Sequence, residues 1–218
     1  MRPKPLQNRF LIAYMLLNAS MLHAQHSYRH NLWNSVVVKK SFAGCMAVTG
    51  DFGYRTCDYF IRQHRTGFGR VIFEKSHCEK SALGLGFALF GHFKDEWKLE
   101  YRPFLQFVYQ KKIMPLDLGV RIRNEFRFLD EGRNFRNRTR LQCSARLLKK
   151  NRWFDPVFSV ETFITPGHAQ LMEQRYTVGI TSSVSSNLTS HLFYTLQRQS
   201  SLDLNQNIAG LQLQIFLR

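Results

Sequence analysis

Arginine and glutamate recur at every second position through the middle of this chain. Arg121, Arg123 and Arg127 alternate with Val120, Ile122, Phe126 and Phe128, and Arg136, Arg138, Arg140 and Arg146 alternate with Phe135, Leu141, Cys143, Ala145 and Leu147. Glu100 and Arg102 precede this block, Glu125 lies inside it, and Glu161 and Arg175 follow in segments of the same rhythm. A guanidinium stays charged and offers five donors, so such a face, once enclosed, must be paired with carboxylates or hydrated. The expected product is an Arg–Glu network with water serving the excess arginines, in an interior that favours anions. The formal charge of +16 also raises nucleic acid as a partner. Nucleic-acid readers, however, interleave exposed aromatics with basic residues on one accessible surface. Here the arginines would be enclosed, so no nucleic acid is expected.

Other reactive residue types occur without a constellation. His191 lies near Ser183, Ser185, Ser186 and Ser190, and His92 stands on a polar face. A lipid hydrolase built into a membrane wall would need a Ser–His pair oriented by Asn, Glu or Asp. No motif joins these residues, strand-borne Ser, Thr and His are ordinary interior fillers, and no catalytic residue is assigned. His64, His77 with Cys78, and His23, His26 and His30 lack the paired short spacings of a closed metal site, so neither a metal nor a cofactor is expected. Cys45 and Cys57 would sit at opposite ends of one strand, roughly 40 Å apart at about 3.3 Å per residue, and cannot bridge. Cys45 with Cys78 is the one pair left open, beside the alternative of four free thiols. Cys143 reads as a lipid-facing or core residue.

The elements that must carry these residues are strands. Leu99, Tyr101, Leu105, Phe107 and Tyr109 oppose Glu100, Arg102, Gln106 and Gln110, and Leu211, Leu213, Ile215 and Leu217 oppose Gly210, Gln212 and Gln214. Period 2 predicts strands over 33–40, 45–57, 67–75, 83–93, 97–110, 116–128, 135–148, 154–165, 170–184, 188–199 and 207–217. Many run 10 to 14 residues, a length suited to tilted membrane-crossing strands. Turn residues separate them, as at Ser186-Asn187, Pro166-Gly167 and Asp130 to Asn134. Bacterial barrels carry even strand numbers, so 10 or 12 strands are expected, with the ambiguity placed in residues 25–45.

Residues 1–24 read as a secretory signal: Arg2, Lys4 and Arg9 flank an apolar stretch from Phe10 to Met21, too short to span a bilayer, with a cleavage point at Ala24-Gln25. Residues 25–218 then form one all-β domain. Alternation alone does not separate a soluble secreted barrel or sandwich, apolar inside, from an outer-membrane barrel with that polarity inverted. The signal segment, the strand lengths and the aromatics near strand ends (Trp33, Tyr54, Trp97, Tyr109, Trp153, Phe154 and Tyr176) favour an antiparallel up-and-down transmembrane barrel.

The run Glu100-Tyr-Arg102-Pro-Phe-Leu-Gln106, then Arg121-Ile-Arg123-Asn-Glu125-Phe-Arg127-Phe, Arg138-Thr-Arg140-Leu, Glu161-Thr-Phe163 and Gln174-Arg175-Tyr176-Thr-Val-Gly179, resembles the family named as domain of unknown function 2490. The resemblance covers about residues 33–217. It implies an outer-membrane barrel of Bacteroidetes-type Gram-negative bacteria, with no established activity.

The expected function is a narrow or plugged, arginine-lined barrel with a structural role or weak passage of anions and small solutes. Its network would comprise Glu100, Arg102, Arg121, Arg123, Glu125, Arg127, Arg136, Arg138, Arg140, Arg146, Glu161 and Arg175. The expected partners are outer-membrane lipid, lipopolysaccharide and the barrel-assembly machinery. The competing expectations are an interfacial lipid-modifying enzyme and a soluble secreted binding barrel.

Overall fold

Alternating side chains along an extended backbone give each strand one apolar and one polar face, and the chain buries the polar one. The computed structural model describes residues 29–57, 65–78, 80–93, 96–129, 135–148, 154–166, 173–199 and 204–217. They form eleven strands: β1 (Arg29–Phe42), β2 (Met46–Cys57), β3 (Arg65–Cys78), β4 (Ser81–Phe93), β5 (Trp97–Ile113), β6 (Leu116–Leu129), β7 (Phe135–Leu147), β8 (Asp155–Ile164), β9 (Glu173–Ser185), β10 (Leu188–Gln199) and β11 (Leu204–Leu217). Each pairs with its sequence neighbours, and the sheet closes on itself. The expected signal segment 1–24 lies outside the described residues.

The count corrects the expectation of 10 or 12. An up-and-down meander closes antiparallel only when the strand number is even; with eleven, the first and last strands run the same way. β1 and β11 accordingly pair in parallel over twelve register positions, from Arg29↔Gln206 to Lys40↔Leu217. Side chains reinforce this seam on its inner side. Asn31 Nδ2 donates to Gln206 Oε1 at 2.9 Å, and Gln212 Nε2 donates to Ser35 Oγ at 3.1 Å. The doubtful region 25–45 thus contributes a full 14-residue wall strand.

The odd count also places the start of β1 and the end of β11 at opposite rims. The C-terminal rim carries the β1–β2, β3–β4, β5–β6, β7–β8 and β9–β10 connectors. Four backbone bonds lace it: Ser76 N to Cys45 O, Gln110 N to Lys80 O, Leu148 N to Pro115 O and Phe216 N to Asn187 O, all at 2.7–2.8 Å. The β1–β2 turn needs left-handed backbone at two residues, met by Gly44 (φ 77°) and Cys45 (φ 62°). The other connectors, and the start of β1, lie at the N-terminal rim.

The polarity is inverted relative to a soluble barrel. Phe52, Phe73, Leu83, Leu85, Leu105, Phe158 and Val178 are among the large apolar side chains exposed on the outside. Asp51, Glu100, Arg123, Glu125 and Glu161 are buried within. Water would punish that outer face, whereas hydrocarbon accepts it, and closure leaves no unpaired strand edge toward lipid. The fold is a transmembrane β-barrel.

Candidate functional site

The barrel interior gathers its charge on adjacent strands, because inward parity repeats at the same register positions. Arg102 Nη2 donates to Glu100 Oε2 at 2.6 Å, and Arg127, one strand over, also donates to Glu100. Deeper in, Arg138 Nη2 and Arg140 Nη1 each donate to Glu125 at 2.7 Å. Arg140 Nη2 reaches Glu161 Oε1 at 2.7 Å, Arg121 Nη2 reaches the same oxygen at 3.3 Å, and Arg175 Nη1 stands 3.6 Å from Glu161 Oε2. Arg123, only 1% exposed, donates twice to Gln106 Oε1 and lies 3.8 Å from Glu125. Arg140 thus ties Glu125 to Glu161, and one continuous ladder runs from β5 through β9.

Aromatic rings fill the spaces between the arginines. The guanidinium of Arg102 lies 3.7 Å from the Phe90 ring centroid, and that of Arg123 lies 4.3 Å from Phe104. Arg138, Arg140 and Arg175 all lie over Phe163, at 4.7, 4.8 and 4.4 Å. A desolvated guanidinium over a ring face gains roughly 2 kcal/mol, so each ring offsets part of the burial cost of its arginine. Glycines leave room for the rings. A Cβ on Gly86 would meet Phe104 at 2.2 Å, and one on Gly53 would meet Phe68 at 2.3 Å.

Two chambers result. The one toward the C-terminal rim, about 280 Å³, has Lys39, Thr49, Asp51, Glu74 and Gln110 in its wall. The one toward the N-terminal rim, about 340 Å³, is walled by eight arginines against two glutamates, Glu125 and Glu161. Arg70, Arg121 and Arg123, with Gln142 and Gln212, line both. These residues stand where the two chambers meet.

Of the twelve residues named from sequence, two stand apart from this assembly. Arg136 has inward parity but is exposed at the start of β7, close to the N-terminal rim. Arg146 pairs instead with Asp117 at 3.0 Å toward the C-terminal rim, and its side chain is 38% exposed. Trp33, expected among the interfacial aromatics, faces inward and stacks on Arg55 at 4.0 Å and Arg175 at 4.9 Å, since Asn31, Trp33 and Val37 share one parity. Tyr54, Trp97, Tyr109, Phe154 and Tyr176 are exposed outside, and Trp153 lies outside the described residues.

Sequence reasoning missed Asp51, Arg55, Arg70, Phe90, Phe104 and Phe163. The signal was available as parity: Phe104 shares its alternation with Glu100, Arg102 and Gln106. Asp51 sits opposite Arg70 in the β2–β3 register, and Arg70 donates to it.

The residues weighed for catalysis and metal binding do not assemble. His191 points inward, its Nε2 buried and without a partner, while Ser190 occupies the opposite face of the wall. His92 instead bridges Thr66 Oγ1 and Glu100 Oε2, each at 3.1 Å. Among the described residues no three His, Cys, Asp or Glu side chains group as a metal site would. His23, His26 and His64 lie outside the described residues. Cys45 and Cys143 are free and exposed, and the side chains of Cys57 and Cys78 are not described.

A family model described as a protein of unknown function (DUF2490) matches residues 30–207. The chain belongs to the DUF2490 family. Among solved structures this DUF2490 barrel is similar to the KdgM porin, at 13% identity and a TM-score of 0.52, covering 79% of this chain and 91% of that one. It is similar also to the KdgM porin in complex with disordered oligogalacturonate (12%, 0.51, covering 78% and 89%) and to the NanC porin (10%, 0.52, covering 81% and 94%). At such identities the likeness is one of fold. No curated protein sequence matches the chain.

Proposed function

We propose that this DUF2490 chain is a non-enzymatic outer-membrane barrel that lets small anions pass slowly through a narrow lumen, embedded in lipid and lipopolysaccharide and delivered by the barrel-assembly machinery. One observation carries the reading: Arg70, Arg121 and Arg123 line both chambers, so a solute crossing the barrel must pass these three arginines. Each has a carboxylate partner, but arginines outnumber carboxylates in the lining, so a cation meets a net positive field there, while an anion is drawn in. Wide aqueous channels belong to barrels of 16–18 strands, and eleven strands filled by arginine and phenylalanine imply small currents.

The test is planar-bilayer recording of the mature chain across a potassium chloride gradient. The expected result is low conductance with a reversal potential on the chloride side, and Arg121→Gln with Arg123→Gln reducing the anion preference. Large cation-selective currents would overturn the reading. Oligogalacturonate, the solute in the compared KdgM structure, serves as a second probe.

An enzyme is the second reading, favoured by the Thr66–His92–Glu100 chain, a hydroxyl, an imidazole and a carboxylate in hydrogen-bond contact. Against it, Glu100 is already engaged by Arg102 and Arg127. Turnover of phospholipid or lipopolysaccharide that disappears in His92→Ala would establish it.

A further inference from the structure

Resting on the anion-passage reading, we infer that the N-terminal chamber holds a binding site for a multivalent oxyanion, centred on Arg55 and the free edge of Arg102. Every other arginine of the ladder has an acidic partner. Arg70 has Asp51, Arg102 and Arg127 have Glu100, Arg123, Arg138 and Arg140 have Glu125, and Arg121 and Arg175 have Glu161. Arg55 has none within ion-pair distance among the described residues.

Rings hold Arg55 instead. Its guanidinium lies 4.0 Å from the Trp33 centroid, 4.7 Å from Phe68 and 5.7 Å from Phe90. Ring contacts engage the faces of a planar guanidinium, whereas its N–H donors point out along the edges. Arg55 is therefore fixed in place with its donors unspent, and its Nε is buried without a hydrogen-bond partner.

A second unspent donor lies beside it. Arg102 stacks on the same Phe90 ring, and Arg102 Nε is likewise buried and without a partner. Both guanidinium groups line one chamber, in a wall where arginines outnumber glutamates eight to two. A single chloride satisfies neither the charge nor the number of donors. An oxyanion with two or more charges and several acceptor oxygens does, as in phosphate or a polycarboxylate, because guanidinium edges match pairs of oxygens.

The experiment is calorimetric titration of the folded mature barrel in detergent with inorganic phosphate and, separately, with citrate, against chloride as background. The expected result is saturable binding of at least one multivalent anion, weakened tenfold or more in Arg55→Gln and unchanged in Arg136→Gln, with heat-modifiable gel migration showing that both variants fold. If Arg55→Gln fails to fold, Arg55→Lys carries the test: it keeps the charge, loses the planar edge, and should still bind several-fold more weakly. Phosphate binding with citrate silent would assign a tetrahedral anion, and the converse a carboxylate. No saturable binding in the parent barrel, or binding equal within twofold in the Arg55 variant, overturns the site. Chloride preference in bilayers alongside either result would leave the passage reading standing, so the two fail separately.

Discussion

Glu125 holds Arg138 and Arg140 together, and Glu125→Gln measures how far the ladder stabilises the barrel. Glu125 is 3% exposed and accepts from Arg138 through two nitrogens, at 2.7 and 3.2 Å, and from Arg140 at 2.7 Å. Arg140 keeps both of its bonds to Glu161 when Glu125 is neutralised, so its share of the cost is small. Arg138 keeps only the Phe163 ring at 4.7 Å, because Glu125 is its one acidic partner among the described residues. The cost therefore concentrates on Arg138, whose side chain is 11% exposed, with a smaller share from Arg123, which loses its carboxylate at 3.8 Å but keeps both bonds to Gln106.

Removing one partner of a buried pair costs about 3–5 kcal/mol, and the amide that remains can still accept one bond, which points to the lower end, about 3 kcal/mol. Removing Arg138 in Arg138→Met leaves Glu125 with Arg140 and nearby Arg123, so about 1–2 kcal/mol is expected. The double variant removes the Arg138 charge along with its partner, leaving only Arg123 on Gln106 without a carboxylate, and should lose less than the two singles together, by at least about 1 kcal/mol. Urea unfolding in phospholipid vesicles, followed by tryptophan fluorescence, supplies all three values. A Glu125→Gln loss within about 0.5 kcal/mol, the range of an exposed substitution, or a coupling of zero would refute the reasoning.

Three further outcomes are expected. Ile122, 44% exposed on the outer wall, should cost about 2–4 kcal/mol when changed to Arg, whereas Arg136→Leu should stay within about 0.5 kcal/mol, both read by the same urea titration. Gly86→Ala drives a methyl to 2.2 Å from the Phe104 ring and should cost about 1–3 kcal/mol, largely recovered by adding Phe104→Leu. A variant keeping Cys45 as its only cysteine should react with an impermeant maleimide only after the outer membrane is opened, while a tag at Gly132, in the connector to the opposite rim, is detected on intact cells. The reverse labelling would invert the orientation.

Parity was the readable quantity. It set the strands almost residue by residue where one face is apolar and the other charged, as in β6 and β7, and where turn residues punctuate them, as at Ser186-Asn187. In β1 it blurs. Val36, Val37 and Val38 are apolar on both faces, Val37 being buried inside while Val36 is exposed outside. That left the first strand doubtful and let a statistical rule displace a count of eleven. The parallel seam was not legible at all, because pairing between residues about 175 apart leaves no local trace. Inward aromatics were misread for a related reason. Hydrophobicity argues that Trp33 seeks lipid, yet buried guanidinium faces need rings, and that need appears only once the arginines have been brought together.

Depth is the other quantity that parity omits, and it is the one that separates roles within a single face. Arg136 and Arg138 share a strand and a parity, two residues apart, yet one is exposed near the rim and the other is bound to Glu125. Arg55 and Arg102 share the Phe90 ring, yet only Arg102 has a carboxylate. What distinguishes these residues is the height at which each strand delivers its side chain, fixed by the register of all the strands around it. A charge at the rim can rely on water and carries little specificity. A charge held by rings inside the N-terminal chamber, as Arg55 is, keeps its donors for whatever passes. On the proposed anion-passage reading, selectivity then follows from where the register leaves a guanidinium without a carboxylate, more than from the number of arginines in the chain.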